Sequence, residues 1–303
     1  MAVIECVPNV SEGRRLDLIA AMSSALTRVP GLRVLDSSSD ASHNRSVFTF
    51  AGGAVAVEAG VMALFERAVA DIDLHAHRGE HPRLGAVDVV PLIPIAGVSM
   101  ADCVALAKEI GAAVAARFEV PVYLYEEASV DPARRRLEDI RRGGFEGLAA
   151  KMSRAEWAPD FGPASPHATA GATVVGARRA LIAFNVNLAT DRIDIAHEVA
   201  RHVRESSGGL PHVKALGLRL AERGLVQVSI NLTNYEETPI GRVFDAVERE
   251  AARHGVRVAE SELVGLIPAA ALAHTTPSAI GLKDFRDQQI LENRLKDVAE
   301  RSG

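Results

Sequence analysis

The sequence predicts a layered α/β (α+β) fold rather than a helical bundle or a β-sandwich. Short β-rich runs alternate with helical periods along the whole chain. One run at 226–232 alternates strictly with period two, and several apolar stripes repeat at helical spacing between cap residues. The first strand is expected at 3–7, a helix at 16–26, strands at 32–35 and 46–50, and a helix at 54–69. A strand at 87–93 follows. Met100, Cys103, Val104, Ala107, Gly111, Val114 and Phe118 then recur at helical spacing behind Ser99, an expected N-cap, and 122–125 returns to strand character.

A second unit is expected to open with a strand at 180–187 and a helix at 193–203, whose stripe is Ile193, Ala196, Ala200 and Val203. In 226–232, Val226, Val228, Ile230 and Leu232 share one face, and Gln227, Ser229 and Asn231 share the other. Thr238 and Pro239 suit the cap and first turn of the next helix, with Ile240, Val243, Phe244, Val247 and Ala251 as its stripe and Gly255 at its close. A strand at 256–266 completes the pattern. The stretch 127–171 holds Arg134, Arg135, Arg136, Arg141 and Arg142 ahead of Trp157 and a run of prolines and glycines. It reads as the domain junction, giving domains at 1–175 and 176–303.

The 303 residues carry 34 Lys plus Arg against 39 Asp plus Glu, a net charge of −5, with 48% apolar and 24% charged residues. That composition suits a globular chain with its own core. Cys6 and Cys103 are too few for a disulfide scaffold and no CxxC pair exists, so a reducing, cytoplasmic setting is expected. The start MAVIECVPNV lacks a basic lead and is broken by Glu5 and Pro8, a poor signal peptide. No run reaches the ~18 apolar residues of a membrane helix. An acidic balance with 4% aromatics argues against nucleic acid as a partner.

Chemistry concentrates in HAHRGEHPRLG, where His75, His77 and His81 are clustered. A metal reading is one residue off the HxHxDH spacing of binuclear hydrolases and lacks further ligands, so no metal is expected. An acid–base reading centres on His81, since imidazole titrates near neutrality and Pro82 constrains the backbone beside it, with Glu80 as a neighbouring carboxylate. Arg78 and Arg83 would attract carboxylates. VPNVSEG and DSSSDASHNRS both follow expected strands, which makes Asn9, Ser11, Asp36, Asp40, Asn44 and Arg45 candidate pocket residues, with ordinary turn chemistry as the alternative. P-loop, Rossmann and GxSxG motifs are absent.

ECVPNVSEG at 5–13, HNRSVFTFAG at 43–52, RGEHPRLGAVDVVPLIP at 78–94, VPVYLYEEA at 120–128, WAPDFGP at 157–163, LIAFNVNL at 181–188 and QVSINLTN at 227–234 run in order over most of the chain. Together they resemble the glutamate formimidoyltransferase family, the transferase part of formimidoyltransferase-cyclodeaminase. The resemblance implies two ferredoxin-like subdomains, each a β-sheet with helices on one face, with a ligand cleft between them. It implies transfer of a formimidoyl group from N-formimidoyl-L-glutamate to tetrahydrofolate, the co-substrate, in histidine degradation. The catalytic histidine carries over to His81 in GEHPR, and the folate-contacting segment to 162–171, where Gly162, Pro163 and Gly171 carry over and SPHATA departs from the family pattern. A family carboxylate that assists the histidine aligns with Ser38, leaving Asp36 or Asp40 to replace it.

Both substrates are polycarboxylates while the chain is net negative, so a locally positive site is expected, with Arg45 and Arg83 gripping glutamate carboxylates and Arg178 and Arg179 near the folate tail. Phe161, Asn187 and Asn231 are expected to provide the apolar slot and amide partners of a pterin ring. Formyl transfer and folate binding without turnover are the alternative functions. Exposed sheet edges lead to the expectation of a homodimer.

Overall fold

The computed structural model describes residues 2–79 and 82–301, and the chain divides into two units, Met1–Arg178 and Arg179–Gly303. In the first, β1 (Val3–Cys6) and β2 (Asn9–Val10) are one strand interrupted at Val7 and Pro8. They are followed by α1 (Leu16–Thr27), β3 (Arg33–Asp40), β4 (Arg45–Gly52), α2 (Ala54–Asp71) and β5 (Val87–Ala96), a βαββαβ order. β4 lies antiparallel between β3 and the β1/β2 strand, which pairs in turn with β5. The unit then grows beyond the ferredoxin-like plan. α3 (Met100–Phe118) leads to β6 (Val122–Glu126), and β7 (Thr173–Ala177) inserts parallel between β5 and β6. α3 begins as the sequence predicts, since Ser99 and Asp102 form a reciprocal capping box.

The buried stripes of α1, α2 and α3 close one core over one face of the sheet, including Met22, Val61, Leu64, Phe65 and Val114 against Phe48, Phe50, Val90, Leu92 and Val175. The opposite face of the sheet carries a second apolar layer. There Val89, Tyr123, Tyr125 and Val174 pack with α4 (Leu137–Arg141), α5 (Leu148–Met152) and Trp157. The stretch 127–171, expected to hold the domain junction, thus contributes a layer of the first unit. Lys151 closes it, donating to the carbonyls of Asp139 and Ile140 at 2.7 Å each and stacking 3.8 Å over Trp157.

The second unit repeats the βαββαβ order with β8 (Ile182–Leu188), α6 (Ile193–Val203), β9 (Val213–Leu220), β10 (Leu225–Leu232), α7 (Ile240–Arg253) and β11 (Val258–Val264). The sheet runs β11-β8-β10-β9 with every pairing antiparallel. Its core joins Phe184, Val186, Val228 and Ile230 to Val199, Val203, Val243 and Val247. The period-two alternation expected in β10 holds. Val226, Val228, Ile230 and Leu232 are all buried in the helix-facing core, and Gln227, Ser229 and Asn231 point away from it. Two details differ. Ile195 and Val199, not Ile193, carry the buried stripe of α6, and Thr238 donates to Pro211 O instead of capping α7. The terminal helix α8 spans Leu291–Arg301.

Candidate active site

The polar motifs that stand apart along the sequence meet at the hairpin joining β3 to β4. Asp40 pairs with Arg45 at its end, and Asn44 turns the loop with φ of +50°, a conformation asparagine tolerates better than most residues. Buried Asn44 ties this loop to two neighbours, accepting from Gly13 N at 2.9 Å and donating to Arg78 O at 3.0 Å. Gly79 lies so close that a Cβ there would stand 2.2 Å from His43 O. The glycine of HRG therefore serves close approach between two backbones.

Ser11 and Glu12 explain why VSEG is polar. Ser11 Oγ donates to Gly85 O at 2.7 Å, and Glu12 accepts the amides of Arg14 and Arg15 at 2.8 and 2.9 Å just ahead of α1. Both are turn and anchoring roles. Asp40 is likewise a turn residue. It accepts the amide and the ring nitrogen of His43 at 2.8 Å each, and those hydrogen bonds, the amide's first, hold its carboxyl below the usual range. By register, Asp36, Ser38 and Asp40 share a face with Thr49, Val47 and Arg45, and Asn9 pairs with Val47 on that face. Phe48 and Phe50 lie on the other face in the helix-facing core.

His77 is 6% exposed, and its Nε2 meets Asn44 O at 2.8 Å. Since only a protonated nitrogen can donate to that carbonyl, Nδ1 of the neutral ring keeps its lone pair. Burial, reinforced by Arg83, pushes the His77 pKa down, against the pull of its bond to Asn44. His75 turns elsewhere, with Nε2 at 2.9 Å from Ala168 O and its ring edge-on to Phe145. The two histidines therefore serve different carbonyls. Arg83 Nη2 reaches Glu146 Oε1 at 2.9 Å and lies 3.4 Å from the carbonyls of Leu74 and His77. Asp88, buried in β5, holds the backbone behind Arg83. Its Oδ1 accepts from Leu84 N at 2.5 Å and Gly85 N at 3.3 Å, and its Oδ2 is paired with Arg141. Burial, together with the charge of Arg141, lowers the pKa of Arg45 nearby.

These residues border a cavity of about 850 Å³, lined by Leu74, His75, His77, Arg78, Gly79, Arg83, Phe145, Glu146, Ala149, Pro166, His167 and Ala168. A narrower crevice beside it is lined by Ser11, His43, Asn44, Arg45, His77, Arg83 and Asp88. Of the expected binding residues, Arg83 borders both, and Asn44 and Arg45 border the crevice. His81 and Glu80 lie outside the described residues; their sequence neighbours Gly79 and Arg83 both line the cavity. Gly171 stands at φ +70°, and a Cβ on it would lie 2.0 Å from Leu84 O, so the loop ahead of β7 and the segment after Pro82 close on each other.

Six other expected residues line neither the cavity nor the crevice. The Phe161 ring packs against the helix-facing core, 3.0 Å from where a Cβ on Gly111 would sit, and stays partly exposed. Gly162 and Pro163 follow it, with Gly162 against Ala115 and Val120, away from the cavity lining. In the second unit Asn187 is fully buried with both amide atoms engaged, Oδ1 accepting from Gln227 at 2.8 Å and Nδ2 donating to Glu262 at 2.7 Å. Asn231 is exposed on the same face of β10 as Gln227. Arg179 pairs with Glu236. Asp88, Glu146 and His167 were not anticipated. Asp88 carried a signal, a lone carboxylate inside the apolar run VDVVPLIP.

The Formiminotransferase domain, N-terminal subdomain, matches residues 3–178, and the Formiminotransferase domain matches residues 183–285. The chain belongs to the formiminotransferase family. It is 43% identical over 294 residues to a glutamate formimidoyltransferase of Streptococcus pyogenes serotype M1, covering 97% of this chain and 98% of that protein. A glutamate formimidoyltransferase of Thermoplasma acidophilum is 42% identical, with 99% of each chain covered. The formimidoyltransferase-cyclodeaminase of Mus musculus is 45% identical over 89% of this chain and 51% of its own length. Family membership thus spans both units and includes the segments that line the cavity.

Proposed function

We propose that the chain is a glutamate formimidoyltransferase, moving the formimidoyl group of N-formimidoyl-L-glutamate to tetrahydrofolate and releasing glutamate. The carrying observation is identity above 40% along nearly the full length of two proteins that bear this name. The site chemistry supports it. Arg78 and Arg83 line a roomy cavity with Glu146 as the one carboxylate among the described lining residues, a setting suited to polycarboxylate substrates on a net-negative chain.

In this reaction a secondary amine nitrogen of the pterin attacks the amidine carbon, a tetrahedral centre forms, and the bond to the glutamate nitrogen breaks. The attacking nitrogen loses one proton and the leaving amine gains one, so a single imidazole alternating between base and acid serves both halves. We assign that role to His81. Arg83 and Arg78 hold carboxylates. Beside a protonated amidine a carboxylate stabilises developing charge better than an oxyanion hole does, and Glu80 or Asp36 supplies it, since Asp40 is committed to His43.

The test is direct. Purified protein incubated with tetrahydrofolate and N-formimidoyl-L-glutamate should release glutamate in step with the absorbance of the formimidoylated folate. Turnover with N-formyl-glutamate instead would favour formyl transfer, and stoichiometric folate binding without turnover would favour a binding protein.

A further inference from the structure

The SPHATA segment holds a side chain to which the proposed mechanism gives no role. His167 and Gly171 close a short loop, His167 N–H donating to Gly171 O at 2.8 Å and Gly171 N–H to His167 O at 3.1 Å. Inside that loop the imidazole Nδ1 faces two amides, Ala170 N at 3.0 Å and Thr169 N at 3.3 Å. Two N–H groups aimed at one ring nitrogen require it to keep its lone pair, so the neutral ring carries its proton on Nε2. Nε2 has no hydrogen-bond partner among the described residues, and His167 lines the cavity with Arg78 and Arg83. A ring locked this way donates and does not accept. With Nδ1 occupied by its own loop, the ring offers Nε2–H as a donor fixed in place.

The surroundings specify what it donates to. Arg78 is held by the neutral carbonyls of His75 and His77 at 2.8 Å each, while Arg83 shares Glu146. The described lining therefore carries two guanidinium charges against one carboxylate. We propose that His167 is a specificity-determining residue that donates its Nε2–H to a substrate carboxylate oxygen, acting with Arg78 and Arg83. The proposal rests on the transferase reading. The carboxylate belongs either to the glutamate of the formimidoyl donor or to the glutamyl tail of the folate.

His167→Asn and His167→Asp test it in the full chain. Either short side chain offers an oxygen to the amides two and three residues on, as in an Asx turn, so the loop keeps its acceptor while the donor at the reach of Nε2 is lost. Calorimetric affinities are measured for N-formimidoyl-L-glutamate, for tetrahydrofolate with one and with three glutamates, and for tetrahydropterin lacking a tail, alongside thermal midpoints. Loss of a hydrogen bond to a charged group should weaken one carboxylate ligand by roughly tenfold or more in the asparagine variant, and further in the aspartate variant, which adds repulsion. The ligand that weakens identifies the carboxylate. The asparagine variant decides the matter if the aspartate variant does not fold.

Unchanged affinities at an unchanged midpoint would overturn the proposal, and so would weakening of tailless tetrahydropterin, which would put the acceptor on the ring. Wild-type protein that turns over while both variants bind as it does defeats only the role of His167. Wild-type protein that neither binds these ligands nor turns over defeats the transferase reading, and this proposal with it.

Discussion

At the scale of single residues, two histidines of one segment carry separate predictions. His81→Ala should lower kcat by roughly two to four orders of magnitude, the range for loss of a general acid–base group, with stability little changed. Steady-state turnover checks this, and retained activity would assign the proton transfer elsewhere. His77 has a structural part, burying a neutral ring on Asn44 O. Its pKa is depressed below 6.5 by burial, so as pH falls through that value the unfolded chain binds a proton the folded one refuses. Stability therefore declines on acidification. His77→Gln should flatten the fall in urea midpoint between about pH 7 and pH 5.5, relative to wild type. An equally steep fall would show that other groups carry the acid sensitivity.

At the scale of elements, the site depends on the bond set around Asp88. This one carboxylate fixes the amides of Leu84 and Gly85 and is paired with Arg141 of α4, coupling the second apolar layer to the segment bearing Arg83. Asp88→Asn should cost about 3 kcal/mol, because Asp88 is buried and the largely covered guanidinium of Arg141 would be left uncompensated. Equilibrium urea unfolding measures it, and a loss below about 1 kcal/mol would mean the pair contributes no more than an exposed one. Elements with strong periodicity were legible. The helix at 100–118 matches α3 from end to end, and that at 193–203 matches α6. The sequence reading lacks β7 and β9, for TVVGA is short, both it and VKALGLRL are interrupted by glycine, and both are set by their pairing partners. β3 runs on to Asp40 through three serines that read as turn residues, because pairing with β4 supplies what their propensity does not.

At the scale of the molecule, the second unit has a complete βαββαβ plan and a core of its own. A fragment of residues 179–303 should give one cooperative thermal transition; calorimetry without a cooperative peak would show that its core needs the rest of the chain. Among the described residues no helix is long and apolar enough to cross a membrane.

Local pattern alone determined the layered class, the longer helices, the alternating face of β10 and the importance of the segment around His77 and Arg83, because periodicity, caps and motif chemistry act within a few residues. Tertiary structure decided the rest. Folding brings Ser11, Asn44, Arg83 and Asp88 to one crevice, makes the arginine-rich stretch a packed layer, sets the Phe161 ring against the core, and locks His167 by amides of its own loop. Close approach of distant backbones and the burial of charge depend on which segments meet, and a linear pattern does not encode that meeting in any one window.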